Sequence, residues 1–540
     1  MAKNIQTIGR PKSIEKKWIV PLGIALFLTE LIYGINLAVV QDILPADSVS
    51  RVANAYYVLA VKPSRLSSIG LIWNPLPSLL ELPLAALAPL WRPLVSKAVA
   101  SCVVTALFAS LSVIVLLKTF MEFRISRFYS IFITIFYAIH PYVFYYGANG
   151  MTESMLFFFL IYCTCKLTLW IRYGTADYIV KIAFGLTGGF LVRYEMIPFA
   201  VGIGLCVVLN ILFNQREKPY WAARGLKKER YFYIEGTLVM LYTPAIYAGI
   251  IWILVCWIIT GNPLYFYNSN YSNLAQSAYA AKIASIPGLI SYVSFRALPF
   301  LTVFFAVVLM RIVQKRLIRC DFICFFLLVM SLLAFHTLMY WRGTSFGWLR
   351  FFCYSLPICI AWLPYELSTY QSESGDSIAG YHFRNRGFAG ISDAQRGALN
   401  FTKVLLPISL VISVLLLNNV TNGRAISDYD GSTHDQENQI AEYINVNLPD
   451  RTILTDVFTT YNVALNVDHF ENLVVSSSPN FKKCVADPVG NGIEYILVPD
   501  PKETSFDEIN FAYSDLYYHG TDWCKEEADF GHFKLFRVTG

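Results

Sequence analysis

Asp42, Asp47 and Arg51 fall within one short stretch, QDILPADSVSR, and further charges recur at intervals along an otherwise apolar chain. Asn149 and Glu153 lie in YYGANGMTES, Arg193 and Glu195 in RYE, and Arg342 and Arg350 in YWRGTSFGWLRFF. A carboxylate can take the proton of a hydroxyl nucleophile. An arginine can clamp a phosphate through two parallel hydrogen bonds. Trp73 and Asn74, in IWNPLPS, are candidates for contact with a lipid chain or a sugar, although a tryptophan in an interfacial belt needs no such role. Acids and cations mixed in this way suit a sugar carried on a lipid phosphate and delivered from the membrane.

That chemistry requires the charged residues to meet at one membrane face. Apolar runs of span length lie near 18–40, 98–117, 128–147, 151–171, 178–192, 196–213, 237–259, 288–310, 320–340, 349–365 and 401–418. Lys118, Arg124 and Arg127, the stretch NQREKPYWAARGLKKER, the stretch RIVQKRLIR, and Arg384, Arg386 and Arg396 make four connections basic. The positive-inside bias puts those four in the cytoplasm, and the acid-bearing connections outside. Parity then requires 178–213 to cross twice, with Arg193, Tyr194 and Glu195 at the outer turn. The stretch 69–91 is also apolar, but Pro75, Pro77, Pro83 and Pro89 predict an interfacial or re-entrant segment rather than a span. Lys282 and Arg296 flank a further outer connection. About eleven spans result, with a first outer loop over 41–97. The basic head before residue 18 has no small-residue cleavage pattern after it, which predicts a retained first span with its N-terminus in the cytoplasm.

Composition supports a polytopic membrane protein. Charged residues make up 15% of the 540, against roughly 25% in an ordinary soluble domain, and mean hydropathy is +0.48. The net charge of +6 is spread over the connections and shows no aromatic–basic interleaving, so nucleic acid is not an expected partner. No phosphate-cradling glycine loop of the nucleotide-binding kinds is present. Of eleven cysteines, most sit in apolar runs; Cys484 and Cys524 lie in polar sequence, where they are either bridged or unpaired.

From about residue 420 the character changes. IAEYINVNL has helical spacing, whereas RTILTDVF, ENLVVSSS, IEYILVPD and HFKLFRV read as strands, and SFDEINFAYSDLYY as another helix. The expected organisation is a transmembrane catalytic domain over 1–419 and a small extracytoplasmic α/β domain over 420–540.

An N-in first span, an acid in the first outer loop, a second acid at the next outer turn and an outer C-terminal domain resemble the GT-C glycosyltransferases. These include the protein O-mannosyltransferase, aminoarabinose transferase and arabinofuranosyltransferase branches. The resemblance covers residues 18–365 as architecture. It implies a polyprenyl-phosphate sugar as donor, an acceptor hydroxyl on a glycan, lipid or protein, and a first-loop carboxylate as general base. Asp47, in DSVSRVANAYYVL, matches that carboxylate best; Asp42 is the alternative, and Glu153 in GMTES matches the second acid. Many members carry adjacent acids in the first loop, whereas Asp42 and Asp47 are five apart, so the identity of the base stays open. A direct displacement would invert the anomeric centre. Arg51, Arg193, Glu195, Arg342, Arg350, Trp73 and Asn74 are expected around the donor and its phosphate. A divalent metal at Asp47 and Glu153 is left open. Asp47 also suits a helix cap, Glu153 a helix start, and Arg193–Glu195 a structural pair. The rival reading is a transporter or flippase of a lipid-linked or anionic substrate; against it, no repeat relates two halves, and the charges gather at one face rather than at mid-membrane.

Overall fold

The computed structural model describes residues 17–213, 227–277, 285–314, 316–317, 319–372, 393–504 and 506–539. Arg384, Arg386 and Lys282 lie outside the described residues, and the side chain of Arg396 is likewise outside them.

Each of the eleven apolar runs coincides with a helix or a bent helix pair. In chain order the helices that carry the argument are α1 (Ile19–Ile35), α2 (Ala46–Ala60), α3 (Leu76–Ala85), α4 (Val99–Glu122), α5 (Arg127–Ala138), α6 (Pro141–Ala148), α7 (Glu153–Tyr173), α8 (Ala176–Phe190) and α9 (Met196–Phe213). They continue with α10 (Lys227–Thr260), α11 (Ile286–Val313), α12 (Cys320–Trp341), α13 (Ser355–Ser372), α14 (Asp393–Val420) and α15 (Asp435–Asn447). Eight helices among the described residues are long and apolar enough to cross a bilayer, or nine if the bent pair α5–α6 counts as one span. The remaining two runs fall on α8, which is only 15 residues long, and α13, whose second half carries Glu366, Ser368, Thr369 and Gln371. The chain is an integral membrane protein with a small C-terminal sheet.

Local sequence explains the departures from straight spans. The run 128–147 is broken at His140, where α5 and α6 meet at 69°. Pro141 forces the preceding residue out of the helical region, and His140 has ψ 126. The run 178–213 breaks at the RYE turn into α8 and α9. The run 349–365 starts later than its apolar residues suggest: Leu349–Phe352 is a 3-10 turn, and α13 begins only at Ser355. Arg350 is therefore in a turn and free of helical periodicity. In the first outer loop the prolines shape a helix more than they break it. Pro75 and Pro77 stand at the start of α3, where an N–H would have no partner, and the helix continues through Pro83 to residue 85.

The spans α4 and α7 are the central, buried ones, whereas α10 is largely lipid-facing. At the end away from the first outer loop, Arg311 of α11 donates to both oxygens of Glu366 of α13, at 2.8 and 2.5 Å, and to Asp321 of α12 at 3.1 and 3.3 Å. Glu366 is completely buried and Arg311 nearly so, whereas Asp321 keeps 16% of its side chain accessible, and the network fastens three helices together.

After α14 the chain forms a five-stranded sheet: β1 (Ile453–Thr455), β2 (Leu473–Val475), β3 (Tyr495–Pro499), β4 (Cys524–Asp529) and β5 (Phe533–Val538), in the order β2-β1-β3-β5-β4. The first three are parallel, and β5 runs antiparallel to both β3 and β4. Period-two alternation gives the sheet two faces. Ile453, Tyr495, Leu497, Phe533 and Leu535 join the large core shared with the membrane helices. Leu454, Ile496, Val498 and Phe536 face a second core that contains Cys484 and Cys524 as free thiols. The stretch expected to form one helix over 505–518 instead gives two short ones, Glu508–Ala512 and Leu516–His519.

Candidate active site

Asp47 is in the first turn of α2, two residues after Pro45. It does not cap the helix. Its Oδ2 is 2.9 Å from Nη2 of Arg350, the cation of the 3-10 turn before α13. Arg350 Nε also approaches Glu153 at 3.8 Å. Glu153 opens α7, where the helix N-terminus favours a negative charge. Its Oε1 accepts from Arg193 Nη1 at 2.7 Å, and its Oε2 has no partner. Arg193 further donates to Thr152 Oγ1 at 3.2 Å and, through Nε and Nη2, to Glu195 Oε1 at 3.1 and 2.6 Å. One chain of alternating charges thus runs Asp47–Arg350–Glu153–Arg193–Glu195, drawn from four separate stretches of sequence.

Close packing of small groups brings α2 and α7 together. Gly150 has φ +79, and a Cβ there would lie 2.1 Å from Ser101 Oγ and 3.0 Å from Ser48 Cβ. Ser48, next to Asp47, donates to the carbonyl of Asn149 at 2.8 Å. Only glycine permits both the backbone conformation and the approach.

Burial sets the electrostatics. It opposes the charge of Arg350, but Asp47 and Glu153 outweigh it and hold the guanidinium above the ordinary arginine range. Arg193 is treated in the same way by Glu153 and Glu195. Burial would raise Glu195, yet Arg193 pulls its carboxyl down to about 2. Both arginines are therefore permanent cations, firmly seated. Exposure separates the two acids: Asp47 keeps 25% of its side chain accessible, whereas Glu153 keeps none. Asp47 can meet an incoming group; Glu153 can act only through the arginines.

Arg51, one helical turn beyond Asp47, is buried and makes no ion pair with it. Its guanidinium lies 4.3 Å over the ring of Trp73, and its Nε and Nη1 have no hydrogen-bond partner. Burial lowers it to about 10. Trp348 and Phe351 stack on Arg350 at 4.2 and 5.5 Å. The cluster therefore holds three guanidiniums, Arg51, Arg193 and Arg350, against three carboxylates, Asp47, Glu153 and Glu195, and three guanidinium nitrogens, Nε and Nη1 of Arg51 and Nε of Arg350, make no hydrogen bond.

The other expected residues lie elsewhere. Asp42 is engaged by Lys97 and Asn438 rather than by an arginine. Asn74 donates to the carbonyl of Phe190 at 2.5 Å and so ties α3 to the end of α8. Arg342 is exposed at the end of α12 and forms no ion pair with a described residue. Arg296 lies 3.7 Å over the ring of Tyr292. His140 is buried, with Nε2 3.0 Å from Ser413 Oγ, and serves the bend between α5 and α6.

Two acids near the cluster were not anticipated. Asp430, just beyond the last span, accepts from the hydroxyls of Tyr142 and Tyr146 at 3.2 and 2.9 Å, and burial raises its carboxyl. Glu81 of α3 is buried near Arg51 and is pushed up to about 8. Asp430 sits in a polar, turn-rich stretch with nothing local to mark it. Glu81 was readable as a lone charge in an apolar segment.

A metal fits poorly among these residues. Guanidiniums already occupy the space between Asp47 and Glu153, and among the described residues no three His, Cys, Asp or Glu side chains converge as ligands.

No family model matches the chain, and no curated protein matches it in sequence. Its fold, however, is that of solved membrane proteins. ArnT from Cupriavidus metallidurans in the apo state superposes with a TM-score of 0.55 at 12% identity, covering 97% of this chain and 98% of that one. The same protein bound to undecaprenyl phosphate gives 0.53 at 11% identity, covering 96% and 97%. A more distant match is an oligosaccharyltransferase from Archaeoglobus fulgidus tethered with an acceptor peptide, with a TM-score of 0.49, 10% identity, and coverage of 98% and 75%. The chain shares the fold of these ArnT structures over nearly its whole length.

Proposed function

We propose that this protein is a membrane glycosyltransferase that moves a sugar from a polyprenyl phosphate to an acceptor hydroxyl on the non-cytoplasmic side. The observation that carries the reading is the Asp47–Arg350–Glu153–Arg193 chain, in which the accessible carboxylate of Asp47 is paired with Arg350 and linked through Glu153 to a second fixed cation, Arg193. The shared fold supports it, since the ArnT structure holds undecaprenyl phosphate.

In this reading Asp47 is the general base. It takes the acceptor proton as the hydroxyl oxygen bonds to the anomeric carbon, and the bond from that carbon to the phosphate oxygen breaks. The attack and departure lie in line, so the configuration inverts. Arg350 and Arg193 face the phosphate, and the buried Arg51 adds positive charge behind them. Charge balance suits the step. Three guanidiniums and three carboxylates cancel before reaction. Once Asp47 is protonated the site carries one net positive charge, at the moment the departing phosphate gains a negative one. Asp42 is not the base here, because Lys97 and Asn438 already hold its two oxygens. The catalytic unit is 1–419, with its N-terminus cytoplasmic, and 420–540 forms an extracytoplasmic domain.

The test uses the purified full chain, with mass spectrometry of co-purifying lipid and transfer from a polyprenyl-phosphate sugar to envelope acceptors. Cysteines placed in the loop 41–97 are labelled from either side of sealed vesicles. Transfer, a polyprenyl-phosphate signal and labelling from the non-cytoplasmic side are expected. Labelling from the cytoplasmic side alone defeats the reading.

A further inference from the structure

Asp42 is an anomaly. It is not glycine, yet its φ is +54, in the left-handed region, directly after the π-helical turn Asn36–Val40 that ends the first span. Aspartate and asparagine tolerate that conformation better than other side chains, but it is still a cost that neighbouring contacts must offset. Those contacts come from across the molecule. Lys97 Nζ donates to Oδ1 at 2.8 Å, and Asn438 Nδ2, on α15, donates to Oδ2 at 2.5 Å.

The next two residues are held from the same side. Ile43 pairs with Thr433 as an isolated antiparallel bridge. Gly431 is pressed so closely on Ile43 that a Cβ there would lie 2.4 Å from its side chain. The buried ring of His434 places Nε2 3.2 Å from the carbonyl of Leu44. Pro45 follows, then α2, with Asp47 as its second residue. Three consecutive residues are therefore gripped by 431–438, a segment beyond the last span. Among the described residues the segment makes no hydrogen bond or ion pair with Arg51, Arg193, Arg350 or Glu153, and the loop it grips leads straight into the carboxylate.

We infer that Asn438 and Asp42 are a positioning pair, through which the segment after the last span fixes the start of α2 and hence the place of Asp47. The inference rests on the reading of Asp47 as base. A displacement of about 1 Å at a reacting group can cost roughly a hundredfold in rate. The single hydrogen bond between Asn438 and Asp42 is thus worth more to turnover than to stability. Both residues are positioning residues, since neither reaches the Arg350–Glu153 chain.

The experiment is a swap. Asn438→Asp sets two carboxylates against each other. Asp42→Asn combined with Asn438→Asp restores donor and acceptor with their direction reversed, keeps a residue at 42 that tolerates the left-handed backbone, and leaves Lys97 an aspartate nearby. The single variant is expected to lose on the order of ten- to a hundredfold in kcat, with donor KM little changed, and the double variant to recover most of it. Amide hydrogen exchange over 42–50 provides a readout independent of activity. Protection there is expected to fall in Asn438→Asp and return in the swap. Exchange that is unchanged in the single variant, or lost equally in both, overturns the inference whether or not the wild-type chain transfers sugar. Absence of transfer by the wild-type chain, with the exchange pattern as expected, overturns the glycosyltransferase reading and leaves the brace standing.

Discussion

Replacing Asp47 by asparagine separates base chemistry from architecture. The side chain keeps its shape, so packing of α2 on Asn149–Gly150 through Ser48 is undisturbed. What is lost is a proton acceptor and one negative charge 2.9 Å from Arg350. Removal of a general base costs typically 10²–10⁴-fold, which at about 1.4 kcal/mol per tenfold is roughly 3–5.5 kcal/mol of barrier. Donor binding should move the other way. Arg350 then answers only to Glu153, 3.8 Å from its Nε, and has more of its charge to offer a phosphate. The expectation is a kcat lowered by at least about a hundredfold, with donor affinity equal to or tighter than wild type. Purified protein in lipid nanodiscs, given a radiolabelled polyprenyl-phosphate sugar, reports both quantities through transfer and filter binding. Asp42→Asn is the control: Lys97 and Asn438 engage that residue, and its loss should cost less in kcat than the loss of Asp47. Transfer by Asp47→Asn within tenfold of wild type, or an Asp42→Asn defect as deep as that of Asp47→Asn, would refute the assignment.

Arg311→Met removes the guanidinium that donates to both oxygens of the fully buried Glu366 and should destabilise the protein by about 3–5 kcal/mol, read as a lower thermal transition in detergent; Arg311→Met with Glu366→Gln should recover part of the loss. Glu81 gives a pH dependence. Its carboxyl is raised to about 8 in the fold, so between its ordinary value and about 8 the folded chain binds more protons than the unfolded one. Its contribution to stability is thus complete at low pH and is lost as pH rises toward 8; Glu81→Gln should flatten that decline in a thermal-shift series.

Much of this architecture was legible in the chain. Spans announce themselves because backbone polar groups in lipid must be satisfied internally, and long apolar runs follow. The RYE turn came from parity together with the charges that interrupt the apolar stretch. Asp47 and Glu153 stood out as acids beside apolar helices. What stayed hidden depends on tertiary contact. Arg342 and Arg350 occupy the same connection between α12 and α13, and the 3-10 turn at 349–352 carries Arg350 to Asp47 and Glu153 while Arg342 stays exposed. Asp430 has significance only through two tyrosines on α6. The strand β4, CKEEAD, lacks the apolar alternation by which strands are recognised, because it is an edge with mostly exposed side chains. Asp507 and Asp515, inside the stretch read as one helix, instead precede two separate short ones.

The length of α10 has a consequence for where this protein can work. Its 34 residues extend about 51 Å at 1.5 Å per residue, well beyond the roughly 30 Å of hydrocarbon it must cross. The surplus is roughly four turns, and Lys228 and Arg230 lie in the first of the helix's turns. Most of its side chains are free of protein neighbours, but Tyr242 donates to the carbonyl of Ala200 and Trp252 donates to the hydroxyl of Tyr194, between Arg193 and Glu195, so a tilt of this helix with lipid thickness is passed to the RYE turn. Turnover should accordingly depend on acyl-chain length, through the one long helix that reaches the RYE turn.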